Sequence, residues 1–223
     1  IKKRHPYALF VLAVHLFTHQ DLEPFYQICQ EIEDNLQTDE SLDEARKTQL
    51  RGELELLYGG LKYNDLKKMT AHFYKAWALL GRPTAIFKDL TDWNMGSPSI
   101  LCLYHRESGK LEEEVSDMLA NMECYDRLSG GHASGGEYLM EAEWYFNRGD
   151  FEDAEISYHK AVNRAQTAEN HSILLCTMFL QIRLAFIRGD AGAMLAIMEN
   201  MRRQIGETSE YQALQMVEIC KMA

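Results

Sequence analysis

Only a few places in this chain pair residue types and spacing in a way that suggests chemistry. His15 and His19 stand four apart. On a helix that spacing puts both imidazoles on one face, where they can share a zinc ion. Leu16, Phe17 and Thr18 intervene, so no general-base Glu follows His15, and no third ligand is evident. Core or surface histidines are the plainer reading. Ser108-Gly109-Lys110 is like the end of a phosphate loop, but Leu111 stands where Ser or Thr must hold magnesium and no glycine precedes at the required distance. A phosphate loop also follows a strand, and a helical pattern precedes this one, so a turn between helices is expected. Residues 130–136, GGHASGG, are glycine-rich and join helix to helix. Ser134 suits a helix N-cap with Glu137 three residues on. The loop amides could also face a ligand. Glu112-Glu113-Glu114 suits the first turn of a helix, where negative charge meets the positive end of the dipole. There is no G-x-S-x-G elbow and no C-x-x-C pair. The expectation is a chain that is not an enzyme and holds no metal or cofactor of its own.

Composition narrows the class. The 223 residues carry 23 Lys+Arg against 34 Asp+Glu, a formal charge of −11. That balance argues against gripping nucleic-acid phosphates, which needs a basic patch. With 46% hydrophobic residues it is too apolar to stay disordered, yet no apolar run is long enough to span a bilayer. Lys2-Lys3-Arg4 before an apolar stretch mimics a secretory leader, but the stretch runs into His15, His19 and Asp21 with no small-residue cleavage site. Five widely spaced cysteines, at 29, 102, 124, 176 and 220, suggest free buried thiols in a reducing, cytoplasmic setting. The start at Ile1 suggests a segment of a longer protein.

The elements that must position any site are helices. Leu occurs 27 times and Val only five, a balance that favours helix over strand. Residues 7–17 are apolar nearly all round. Phe25, Ile28, Cys29, Ile32 and Leu36 follow the helical period. The same pattern returns over 54–61, 66–80, 100–104, 111–128, 138–146, 151–162, 173–187 and 194–205. Polar joints at 19–21, 63–65, 108–110, 148–150 and 188–190 recur every 40 to 45 residues. A regular spacing of this size predicts an all-α solenoid of about five antiparallel helix pairs. The pairs fall at roughly 5–40, 46–81, 96–128, 135–166 and 171–206, in one domain over 1–223. An extra helix at 208–222 carries Tyr211, Leu214, Val217 and Ile219.

Residues 136–161, GEYLMEAEWYFNRGDFEDAEISYHKA, resemble a tetratricopeptide repeat. Tyr138, Ala142 and Tyr145 match the first helix, Gly149-Asp150-Phe151 the turn, and Ala154, Tyr158 and Ala161 the second helix. The other repeats are degenerate, with Met194, Met198 and Met201 at the corresponding sites of the fifth. The 40–45-residue period exceeds the usual 34 and points to a longer-helix variant. Residues 93–144, with WNMGSPSILCLYHRESGKLEEE and YDRLSGGHASGGEYLMEAEW, resemble the helical-repeat sensor region of MalT-like LuxR-family bacterial transcription regulators. That resemblance implies an ATPase module before the region and a DNA-binding helix-turn-helix after it, both outside this chain, with ATP bound at the former.

The resemblance to tetratricopeptide solenoids further implies a concave face built from the first helix of each pair. Counting back from each turn places Leu54, Tyr58, Leu61 and Lys62 there, then Ser99, Leu103, Arg106 and Glu107, then Leu139, Glu143, Phe146 and Asn147, and finally Phe179, Arg183, Phe186 and Ile187. Two irregular loops flank the third pair. In one, 81–99, Pro98 is expected in the first turn of the next helix, and Trp93 either tucks onto the core or forms a ligand wall. His132 lies in the other. The expected ligand- or partner-binding set is therefore Tyr58, Trp93, Arg106, Glu107, His132, Glu143 and Arg183, taking a small-molecule inducer or a protein partner. Apolar solenoid ends suggest self-association. The competing reading is a freestanding tetratricopeptide-type scaffold that binds a peptide.

Overall fold

The structure is a computed structural model that describes residues 6–86 and 94–208. It is all-α, a succession of helix pairs, with no strand among the described residues. The helices are α1 (Pro6–Thr18), α2 (Leu22–Thr38), α3 (Glu44–Gly60), α4 (Leu66–Leu80), α5 (Ile100–Tyr104), α6 (Leu111–Ser129), α7 (Gly136–Arg148), α8 (Phe151–Thr167), α9 (His171–Ile187) and α10 (Ala191–Thr208). Each expected joint falls between two of them. None of the described helices is long and apolar enough to cross a membrane. The extra helix expected at 208–222 extends outside the described residues.

The chain forms two compact units. The first holds α1–α4 and the end of α6 with its following turn, residues 121–132. Phe25, Cys29, Ile32 and Leu36 of α2 are buried at their helical spacing. Burying an aliphatic or aromatic side chain of this size stabilises by about 1.5–3 kcal/mol. Asp43 caps α3 by accepting the Arg46 N–H at 2.7 Å. Helices α3 and α4 approach closely because Gly52 and Gly59 carry no side chain: a Cβ on Gly52 would lie 2.6 Å from Leu80 Cγ, and one on Gly59 would lie 2.7 Å from Phe73 Cε1. On α4, Phe73 packs on Tyr125, ring centroids 4.5 Å apart. Glu53 of α3 is fully buried. It accepts the Thr84 hydroxyl proton and the Ala85 N–H, and so fastens the segment after α4.

The second unit holds α5, the start of α6 and α7–α10. The tetratricopeptide-like pair α7–α8 packs as its small residues require, with Ala142, Ala154, Ala161 and Ala165 wholly buried. Gly149 closes α7 in the left-handed region (φ 84°). Two local expectations are corrected. The N-cap of α7 is Gly135, not Ser134. Gly135 has φ +93°, and a Cβ there would sit 2.5 Å from the Ala161 carbonyl oxygen, so the close approach of the loop to α8 decides the cap. Glu137 does turn back, accepting the Gly135 N–H at 3.0 Å. Nor does Pro98 occupy the first turn of α5. Ser99 caps that helix and accepts the Cys102 N–H, so Pro98 precedes the cap.

The thiols match expectation only in part, and Cys220 lies outside the described residues. Cys29 and Cys176 are buried, Cys124 is half-buried and Cys102 is exposed, because it lies on the outer side of the short α5. Cys176 accepts from the Asn94 side-chain amide at 3.1 Å, which docks the 94–99 segment on α9.

Candidate functional site

The groove positions of the fourth and fifth pairs meet in the second unit, where α7 packs on α9. Glu143 comes from the middle of α7 and is 1% exposed. One carboxylate oxygen, Oε2, accepts the Leu101 N–H at 2.8 Å, so the start of α5 hangs on this side chain. The Ser99 hydroxyl also hydrogen-bonds to it. The other oxygen, Oε1, is buried with no hydrogen-bond partner among the described residues. Arg183 of α9 brings Nη1 to 3.7 Å from it, an ion-pair distance too long for a hydrogen bond.

Arg183 is held on two further sides. Its guanidinium lies 4.2 Å from the Phe146 ring centroid and 5.9 Å from that of Phe179. Its Nη2 donates to Asn147 Oδ1 at 3.1 Å. The Asn147 amide in turn donates to the Glu143 main-chain carbonyl at 2.8 Å, which orients it. A cation on an aromatic face gains about 0.5–2 kcal/mol as desolvation increases. Burial pushes the Glu143 carboxyl above its ordinary range. The bond from Leu101, the Ser99 hydroxyl and the Arg183 charge pull the other way. The outcome is a two-faced patch: a planar cation over the Phe146 ring and near that of Phe179, backed by a carboxylate oxygen short of a donor. A ligand that offers a hydroxyl or N–H proton to Glu143 and an acceptor or flat face to Arg183 matches it.

The structure places the remaining expected residues as follows. Tyr58 belongs to the first unit, where its hydroxyl donates to Glu33 at 2.6 Å. Burial and that carboxylate push its phenol above the ordinary value. Its ring lies 6.2 Å from His72, which pairs with Glu55 at 2.6 Å. His132 also falls in the first unit and hydrogen-bonds the Tyr125 hydroxyl at 2.7 Å. Arg106 and Glu107 are exposed in the turn after α5, and both backbone N–H groups donate to Glu114 at 3.1 Å. Glu114 therefore does more than complement the α6 dipole: it also pairs with His105 at 2.6 Å and closes the turn. Trp93 lies outside the described residues. Among the groove positions, Leu54 and Leu139 are core, 5% and 0% exposed. Both are withdrawn from solvent, so counting from the turn does not place them on an open face.

His15 and His19 bring their rings to 4.2 Å, and His19 Nδ1 contacts the His15 carbonyl at 2.9 Å. The sequence reading missed the Glu33–Tyr58 and Glu55–His72 pairs. Their members lie 25 and 17 residues apart on different helices, and no local spacing signals them. Comparison with models of known protein families, with curated proteins and with solved structures finds no match to this chain.

Proposed function

We propose that this chain is a regulatory domain that binds an effector or partner, the helical-repeat region of a MalT-like LuxR-family transcription regulator. In this reading it works in the cytoplasm and is not itself a catalyst. The ATPase and DNA-binding modules lie outside these residues, and the chain contacts neither nucleic acid nor membrane. One observation carries the binding role: the buried Glu143 faces the stacked Arg183 across 3.7 Å, with Oε1 left without a hydrogen bond. Unpaired buried oxygens are costly, and a ligand that supplies the missing donor is bound by relieving that cost. The site bridges α7 and α9, first helices of successive pairs. Occupancy would therefore bias how the two pairs pack, which is a physical route from ligand to regulator. The acidic balance of the chain supports leaving DNA contact to another module.

A thermal-shift screen of small polar metabolites tests this, because a ligand that binds only the folded form raises the midpoint. A hit is expected to lose its shift in Arg183→Met. A hit whose shift survives that substitution binds elsewhere and removes Glu143–Arg183 from the reading.

A second reading, a scaffold for a protein partner, is favoured by the exposed Phe186, Ile187 and Leu195, each more than half exposed on α9 and α10. Large apolar side chains left exposed mark association surfaces where they form one patch. Self-association through these α9 and α10 side chains is the version of that reading that light scattering across concentration tests directly.

A further inference from the structure

A second site lies on the same helix pair, away from the groove. Tyr138 is five residues before Glu143, about 140° around α7. Between it and α8 opens a cleft of about 500 Å³ lined by Ser134, Tyr138, Lys160, Asn163, Arg164 and Thr167. Ligand sites typically span about 300–1,000 Å³. The α8 residues stand at i, i+3, i+4 and i+7, so one helix face supplies an ammonium, an amide, a guanidinium and a hydroxyl.

The pairing state of these groups is informative. Lys160 Nζ lies 5.6 Å from the Tyr138 ring centroid and has no ion pair or hydrogen bond among the described residues. The Asn163 side-chain amide and the Tyr138 hydroxyl likewise have no hydrogen bond there. Arg164 is anchored from behind by the buried Glu137 at 3.5 Å, which holds its guanidinium at the cleft. No carboxylate lines the cleft itself, in a chain whose acidic residues outnumber the basic by 34 to 23.

We propose that this cleft binds a phosphate monoester carried on a small ring. A phosphate monoester has close to two negative charges and three strong acceptor oxygens. Lys160, Arg164, Asn163 and Tyr138 offer these oxygens four donor side chains, two of them cationic. Charge-assisted bonds of this kind are about twice as strong as neutral ones. The Tyr138 ring gives the organic part an apolar wall, and the cleft is large enough for both. The proposal is independent of the effector groove, since it uses none of that groove's residues.

Titration with phenyl phosphate at constant ionic strength tests it, read by calorimetry and by amide chemical shifts. Saturable binding is expected, with the shifting amides in 134–138 and 160–168. Lys160→Gln should weaken it about tenfold or more, Asn163→Ala several-fold, and Lys75→Gln, exposed on α4 in the other unit, not at all. Lys160 and Asn163 are exposed, so these variants keep the fold, and circular dichroism checks that they do. Phenol should not bind, and inorganic phosphate should bind more weakly than phenyl phosphate. Equal affinity for inorganic phosphate overturns the ring wall. Non-saturating binding, or affinity unchanged in Lys160→Gln, overturns the site.

Discussion

The Glu143 carboxylate on α7 accepts the backbone N–H of Leu101 at 2.8 Å, joining two residues 42 positions apart. Helix α5 has only five residues, too few to be stable alone. Its first turn is held by this buried acceptor and by the Ser99 cap. Glu143 thus serves two ends at once, fastening α5 with Oε2 and leaving Oε1 toward Arg183.

Removing that acceptor should be costly. Glu143→Ala orphans the Leu101 N–H and leaves Arg183 without its nearest buried charge. An orphaned buried donor costs about 1–3 kcal/mol, and a total loss of ~2–3 kcal/mol is expected in urea unfolding. A loss under ~0.5 kcal/mol would mean that α5 is held by its apolar contacts alone.

Stability should depend on pH through the two buried carboxyls. Burial raises the folded pKa of both Glu53 and Glu143 above the ordinary 4.5. The folded state then holds protons that the unfolded chain has released. Stability from this source is complete below pH 4.5 and declines as pH rises from there through the folded values. Each group adds a slope of at most about 1.4 kcal/mol per pH unit. Unfolding curves for Glu53→Gln and Glu143→Gln between pH 4.5 and 8 should fall less steeply than those of the unaltered protein. Parallel curves would sink this assignment.

Two glycines in the left-handed region should respond unequally to alanine. At Gly149 (φ +84°) a Cβ meets nothing within 4 Å, so only the conformational cost of about 1–2 kcal/mol applies. At Gly135 (φ +93°) the Cβ also meets the Ala161 carbonyl oxygen at 2.5 Å and the Ala165 Cβ at 3.2 Å. Overpacking adds about 1–3 kcal/mol. Calorimetric melting should show Gly135→Ala as the more damaging of the two by at least that increment.

Within α3, Gly52→Ala sets helix propensity against space. Propensity favours alanine by about 1 kcal/mol. The new Cβ would lie 2.6 Å from Leu80 Cγ and 3.2 Å from Leu79 Cβ, so α4 must shift. A net loss of ~1–2 kcal/mol is expected by denaturant titration, and a gain would show that Leu80 repacks freely.

Much of the fold was legible along the chain. The 3.6-residue spacing of Phe25, Cys29, Ile32 and Leu36 marked a buried helix face. The joints at Arg148-Gly149-Asp150 and Arg188-Gly189-Asp190 marked where helices reverse. Both signals are local and rest on the backbone preferences of a few adjacent residues. The cap of α7 was not legible: Ser134 has the better cap chemistry, but contact with α8 demands a residue without a side chain, and that contact lies 26 positions away. Side chains of the candidate site were legible as positions. Glu143, Phe146, Asn147, Phe179 and Arg183 all fell on the groove positions obtained by counting from the turns. That count could not tell Glu143, which turns to α5 and α9, from Leu139, which turns to the core.

The amino-acid sequence by itself determined that the chain is helical, near which residues its helices reverse, and that it carries a formal charge of −11. These follow from periodicity, turn residues and net charge, which need no knowledge of what packs on what. Only the tertiary structure decided which charges meet. Arg183 reaches Glu143 from 40 positions away, the Tyr58 hydroxyl finds Glu33, and Lys160 is left beside Tyr138 without an acid. Each outcome depends on the rotation and closeness of neighbouring helices. Side-chain volumes at the contacts, above all at Gly52, Gly59, Gly135 and Ala161, set that geometry.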